Sequence, residues 1–221
     1  MRIVLALLFF LLSLTAKAQT YSAPEGCEHL VTVRSETCVT SHMSSCQSQM
    51  IEDRFVDGQL RSRSFWQHPT LFTLMQSVSG AVAGHKYGDG TPVWGTRVAP
   101  GEVYRYRRRV QRNFTTGPEP GDHGDEVMTV REATSMAIGT RTVEVMPLDY
   151  EVIGDDGDYK LTERSFLLNE PRIVIGSTCE TFDGQGNSKA TGGDLPGEIV
   201  FPGEPGFGAH HGLSRCGSVT S

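Results

Sequence analysis

The chain reads as a mainly β protein: an antiparallel sandwich or half-barrel, with at most one short helix and a glycine-rich C-terminal tail. Three observations predict this. From Glu28 onward apolar and polar residues alternate at period two, the mark of strands with one buried face. In the second half, turn signals recur about every ten residues, the spacing of antiparallel all-β folds. Sustained helical periodicity is scarce throughout.

The elements follow in order. His29 to Thr40 is rich in Val and Thr, which suit a pleated, half-buried surface. Met50 to Val56 and Gln59 to Trp66 flank Asp57-Gly58, a strong hairpin signal because both turn positions need φ > 0. A plain two-residue turn sets Phe55 opposite Leu60, Glu52 opposite Arg63 and, less favourably, Arg54 opposite Arg61. Leu71, Leu74, Met75, Val78 and Val82 fall on one helical face, with Thr70 as N-cap and Gly84 as stop. The Thr, Val and Ser content there leaves a strand open. Between Glu102 and Phe114, Tyr104, Tyr106, Val110 and Phe114 share one face, and Arg105, Arg107 and Arg109 the other. Val127 to Ile138 places Met128, Val130, Met136 and Ile138 together. Gly139-Thr140 then turns the chain into Thr142 to Ile153, where Pro147 predicts an edge or a bend. The Asp155-Asp156-Gly157-Asp158 turn leads into Tyr159 to Leu168. Asn169-Glu170-Pro171 ends that strand, and Arg172 to Phe182 follows. Residues 183–221 hold ten glycines and three prolines in 39 residues, which predicts an irregular tail.

Residues 1–18 have the layout of a signal peptide. Arg2 is followed by an apolar run, Ile3 to Leu14, too short for a bilayer span of about 20 residues. Ala16-Lys17-Ala18 then fits small-x-small cleavage. The expected organisation is therefore a signal peptide at 1–18, one β-rich domain at 19–182 and a tethered tail at 183–221, in a periplasmic or secreted protein. Removing Arg2 and Lys17 leaves 18 basic against 26 acidic residues. An acidic balance of that size excludes a basic nucleic-acid binder, and no second long apolar run predicts a transmembrane segment.

All five cysteines, Cys27, Cys38, Cys46, Cys179 and Cys216, follow the signal segment, where an oxidising compartment lets disulfides persist. Their spacings match no C-x2-C zinc pattern. Cys179 and Cys216 flank the tail, and the expectation is that they pair. Two of Cys27, Cys38 and Cys46 then bridge locally, leaving one thiol over.

The run "REATSMAIGTRTVEVMPLDYEV" followed by "YKLTERSFLLNEPRIVIGS" has a cadence of charged strand, glycine turn, strand, acidic turn, strand, proline, strand. In this it resembles the curved antiparallel sheets of lipoprotein-carrier-like bacterial envelope proteins. The resemblance implies a concave sheet able to hold an apolar ligand or a partner segment, and it carries no residue roles.

No catalytic or metal-ligating set is assigned, and no cofactor. Asp122-His123-Gly124-Asp125-Glu126 gathers potential ligands, but in a segment that reads as a solvated loop. "HHGLSRCG" resembles the end of L,D-transpeptidase active sites, but Leu213 stands where the nucleophilic cysteine would follow glycine, and Cys216 is an expected disulfide partner. Asn113-Phe114-Thr115 is a formal glycosylation sequon at a strand end. Arg105, Arg107 and Arg109 are the candidate residues for an anionic ligand, since guanidinium groups fork onto carboxylate and phosphate. Glu126 and Glu132 are their candidate structural partners.

The function expected is a non-enzymatic exported β-domain that binds an anionic or apolar ligand, or a partner, in the cell envelope or medium. The alternatives are a metal-dependent or Cys/His hydrolase of an envelope substrate, working through His123, His210 or His211, and a structural envelope component.

Overall fold

Period-two patterning becomes strand after strand. The strands are β1 (Cys27–Ser35), β2 (Val39–Cys46), β3 (Gln49–Val56), β4 (Gln59–His68), β5 (Leu71–Ser77), β6 (Val82–Tyr87), β7 (Val103–Arg112), β8 (His123–Val130), β9 (Thr134–Ile138), β10 (Arg141–Gly154), β11 (Tyr159–Leu168), β12 (Ile173–Asp183), β13 (Ser188–Asp194) and β14 (Pro196–Val200). A three-residue 3-10 turn, Ser214–Cys216, follows. The computed structural model describes residues 20–47, 49–68, 71–78, 80, 82–87, 97–112, 123–155, 157 and 159–216. Residues 1–18, the sequon at Asn113 and Asp122 lie outside the described residues. Among the described residues no helix is long and apolar enough to cross a membrane.

All pairings are antiparallel, and they form one path in the order β13-β12-β11-β10-β8-β7-β6-β5-β4-β3-β2-β1-β14, with β9 alongside β10. The two ends of this path are consecutive in sequence, separated by Leu195 alone. One segment, 188–200, therefore pairs first with β12 and then with β1 and brings the ends together. The arrangement is sandwich-like. Val31, Val33, Met43 and Met50 of β1–β3, with Ile199 of the adjoining β14, pack against Ile138, Val145, Leu168, Ile173 and Ile175. A second cluster, with Tyr106, Met128, Leu148, Tyr150 and Leu167 at its centre, lies under β7–β11.

Several local expectations change in the structure. The stretch from Leu71 to Tyr87 is two strands and not a helix, because β5 and β6 complete the ladder between β4 and β7. Pro147 lies inside a long central strand. It sits where β10 passes from pairing with β9 to pairing with β8, so its missing N–H is not required there, and its carbonyl accepts from Arg131 N–H (2.9 Å). The tail is irregular only after Val200, since β13 and β14 are integral to the sheet.

The Asp57-Gly58 hairpin forms, with both residues at positive φ (52° and 72°) and Phe55 opposite Leu60. A bulge at Arg61 then shifts the register. Asp53, not Glu52, faces Arg63, and the Arg54/Arg61 like-charge pair is avoided.

The cysteine pairing also differs. Cys27 bonds Cys46 and Cys38 bonds Cys216, so the expected Cys179–Cys216 bridge is absent and Cys179 is the free thiol. The reason is path. After β14 the chain crosses the outer side of β1 and β2 and arrives at their connecting turn, where the Cα atoms of Cys38 and Cys216 lie 5.5 Å apart. Cys179 instead sits within β12, opposite Glu163 of β11 and Gly192 of β13. Two disulfides in one chain suit an oxidising compartment.

Candidate functional site

Strand alternation aims a set of charged residues between the two halves of the sheet. On β7 Tyr106 and Arg108 share the inward phase, and on β8 the register sets Glu126 opposite Tyr106. The Tyr106 hydroxyl donates to Glu126 Oε1 (2.8 Å). Arg108 Nε lies 3.5 Å from Glu126 Oε2, an atom that accepts no hydrogen bond among the described residues. Glu126 is only 5% exposed. Burial pushes its carboxyl above the ordinary range, Arg108 and the Tyr106 hydroxyl pull it back, and the Glu163 carboxylate raises it further. Glu163 itself accepts from the Ser165 hydroxyl (2.8 Å). From the other half, Arg54 donates to Asp194 (2.6 Å) and lies 3.8 Å from Glu52. Val33, Met43, Trp66, Val152 and Leu161 supply apolar walls. Together these residues enclose a cavity of about 210 Å³.

A second polar assembly lies on the outer side of β1–β4, under the C-terminal loop. The register aligns Thr32, His42, Asp53 and Arg63 in one row across the four strands. Arg63 forks onto Asp53 (2.6 and 2.7 Å), and the Tyr21 hydroxyl donates to the same carboxylate (3.0 Å) while its ring stacks on His42. Arg34, 1% exposed, pins the loop: it donates to the carbonyls of His211 (2.8 Å) and Gly206 (2.7 Å) and to Glu198 (2.6 Å).

Hydrogen-bond counting fixes the tautomers in this assembly. His29 Nε2 faces the Val31 carbonyl (3.0 Å), which only accepts, so that nitrogen carries its proton. Thr32 Oγ1 accepts from Gly208 N–H (3.0 Å) and gives its own hydrogen to His42 Nδ1 (3.2 Å). His42 Nε2–H then donates to His210 Nδ1 (3.1 Å). Burial, and then the nearness of His29, His210 and Arg34, lowers the His42 pKa to about 2. His42 is thus neutral with both nitrogens engaged, and it is fully buried. This assembly is a joint between loop and sheet. Among the described residues no group of three or more His, Cys, Asp or Glu side chains could hold a metal ion.

The arginines of β7 face outward as expected: Arg105, Arg107 and Arg109 are all exposed. Arg107 is held by Asp125 (3.0 Å) and Asp155, rather than by Glu132. Arg105 borders a surface groove with Asp149, Thr162, Arg164 and Glu180, where Arg164 and Arg131 both bind Asp149 (2.6 and 2.7 Å). Carboxylates therefore offset Arg107, Arg131 and Arg164. His123 is exposed at the start of β8, and His210 and His211 belong to the joint. Cys216 is spent in a disulfide and cannot act as a nucleophile. The Cys179 thiol is pushed up by burial and then by Glu163, which favours its protonated form.

Sequence reasoning grouped Arg108 with the neighbouring arginines of its strand, passed over Arg34, His42 and Tyr21, and took Glu126 as a partner for the outward arginines. For Arg108 a signal existed, because it shares the phase of Tyr104 and Tyr106. For the joint none existed, since its members come together only when the tail folds back. Comparison with known protein families, curated proteins and solved structures finds no match for the chain. The likeness to lipoprotein-carrier-like sheets accordingly lends no residue a role.

Proposed function

We propose that this chain is an exported, non-enzymatic β-domain of the periplasm or extracellular medium that binds a small ligand between the two halves of its sheet. One observation carries the reading: a cavity of about 210 Å³ with apolar walls and a few converging charged groups, Glu126 and Arg108 among them. Most ligand sites share that composition, although they commonly measure about 300–1,000 Å³, so the ligand here is small. The disulfides and the signal-like leader support export. The pairing of Arg107, the middle outer arginine, with Asp125 and Asp155 favours the cavity over an anionic surface site.

A thermal-shift scan of small amphipathic compounds tests the reading. At least one should raise the melting temperature of the wild-type protein in a saturable way, because binding to the folded state alone stabilises it. Leu161→Trp, which fills the cavity from its half-buried rim, should keep the fold and abolish the shift. If no compound shifts the wild type, or if Leu161→Trp responds like the wild type, the reading fails.

A further inference from the structure

We propose that the cavity takes a small organic cation, with a protonated amine at one end and an apolar body at the other. The inference rests on the cavity being the binding site and adds the class of ligand.

The first ground is charge. Four carboxylates, on Glu52, Glu126, Glu163 and Asp194, line the cavity against two guanidinium groups, on Arg54 and Arg108. Both guanidinium groups already face acids, Arg54 at Asp194 and Arg108 at Glu126. An anionic ligand would meet the acidic excess with no cation left to receive it.

The second ground is the hydrogen-bond inventory. Glu126 lines the cavity, and its Oε2 is buried, 3.5 Å from Arg108 Nε, and accepts no hydrogen bond among the described residues. Glu163 accepts only the Ser165 hydroxyl among the described residues. A wholly apolar ligand would leave these acceptors unmet, which is costly in a site that has lost its water. An ammonium group carries three donors and no acceptor, so it suits a cavity whose lining carboxylates outnumber its guanidinium groups. A cation there also offsets the field of the Glu163 carboxylate, which adds to burial in raising the proton affinity of Glu126.

The third ground is size. At ~30 Å³ per water-sized group, the cavity of about 210 Å³ holds about seven non-hydrogen atoms. Benzylamine, benzyl alcohol and benzoate have nearly this size and differ in the charge of the polar end.

Isothermal titration calorimetry of the full, oxidised chain at neutral pH, with each of the three probes, tests the proposal. Benzylamine should bind about tenfold more tightly than benzyl alcohol, the usual advantage of a hydrogen bond to a charged group, and benzoate should give no binding. Glu163→Gln, at a half-buried position, should remove most of the benzylamine preference and leave benzyl alcohol unchanged. Glu126→Gln should do the same where its melting temperature shows it folded, and Glu163→Gln decides if it is not. Equal binding of the three probes, or a preference for benzoate, overturns the cation assignment and leaves the cavity as the ligand site. Binding by none of the three also overturns it, and the broader compound scan then decides whether the cavity reading survives. An unchanged benzylamine preference in Glu163→Gln overturns it too.

Discussion

At His42 the fold holds an imidazole uncharged, stacked on Tyr21 and bonded at both nitrogens. The unfolded chain binds a proton there below about 6.5, the ordinary value, whereas the folded chain does so only near pH 2. Between those limits the unfolded state carries more protons, so this histidine's contribution is complete above pH 6.5 and is lost as the pH falls. Each such proton costs ~1.4 kcal/mol per pH unit. His29, His210 and His211 are lowered as well and act in the same direction, whereas the raised Glu126 acts in the opposite one. His42→Gln keeps an acceptor and a donor while removing the titration. In urea unfolding from pH 7 to pH 4 its stability should fall less steeply than that of the wild type, by about one proton's slope. Parallel slopes would mean that His42 is not held neutral. Nothing in "SHMSSC" announces this residue, because its burial comes from a loop more than 160 residues later.

At the scale of elements, the two disulfides do unequal work. Cys27–Cys46 closes a separation of 19 residues across one strand pair, and Cys38–Cys216 closes 178 and ties the C-terminal loop down over the polar row. Chain-entropy arithmetic gives about 3 kcal/mol for the first and about 5 kcal/mol for the second. The double variant Cys38→Ser/Cys216→Ser should therefore lose more stability in denaturant than Cys27→Ser/Cys46→Ser, and thiol labelling of the unfolded wild type should find Cys179 alone. An equal loss, or a labelled Cys216, would contradict the pairing. The strands were largely legible because alternation and turn chemistry are local. The Asp57-Gly58 hairpin and the Arg141–Gly154, Tyr159–Leu168 and Ile173–Asp183 strands all announce themselves. Cysteine pairing was not legible, since it depends on where a loop travels. Neither was the Arg61 bulge, which alternation cannot encode and which turns the expected Glu52–Arg63 pair into Asp53–Arg63.

For the molecule as a whole, the consequence of topology is closure. Because 188–200 pairs with both β12 and β1, the inward charges of β3, β7, β8 and β11 face one another across a common space. Arg108 was visible in the sequence within a strand and Glu126 was read as the end of a loop, but the cavity they share with Arg54 and Asp194 exists only once the two halves meet. The central claim is that a small ligand occupies this space and not the outer groove or the loop joint. Amide chemical-shift mapping by NMR, with the tightest of the small aromatic probes, tests it most directly. The account predicts saturable shifts centred on Arg108, Glu126 and Val174, with Arg105, Thr162 and His210 unmoved. Shifts centred on Arg105 and Thr162, or on the loop around His210, with the cavity residues silent, would contradict it.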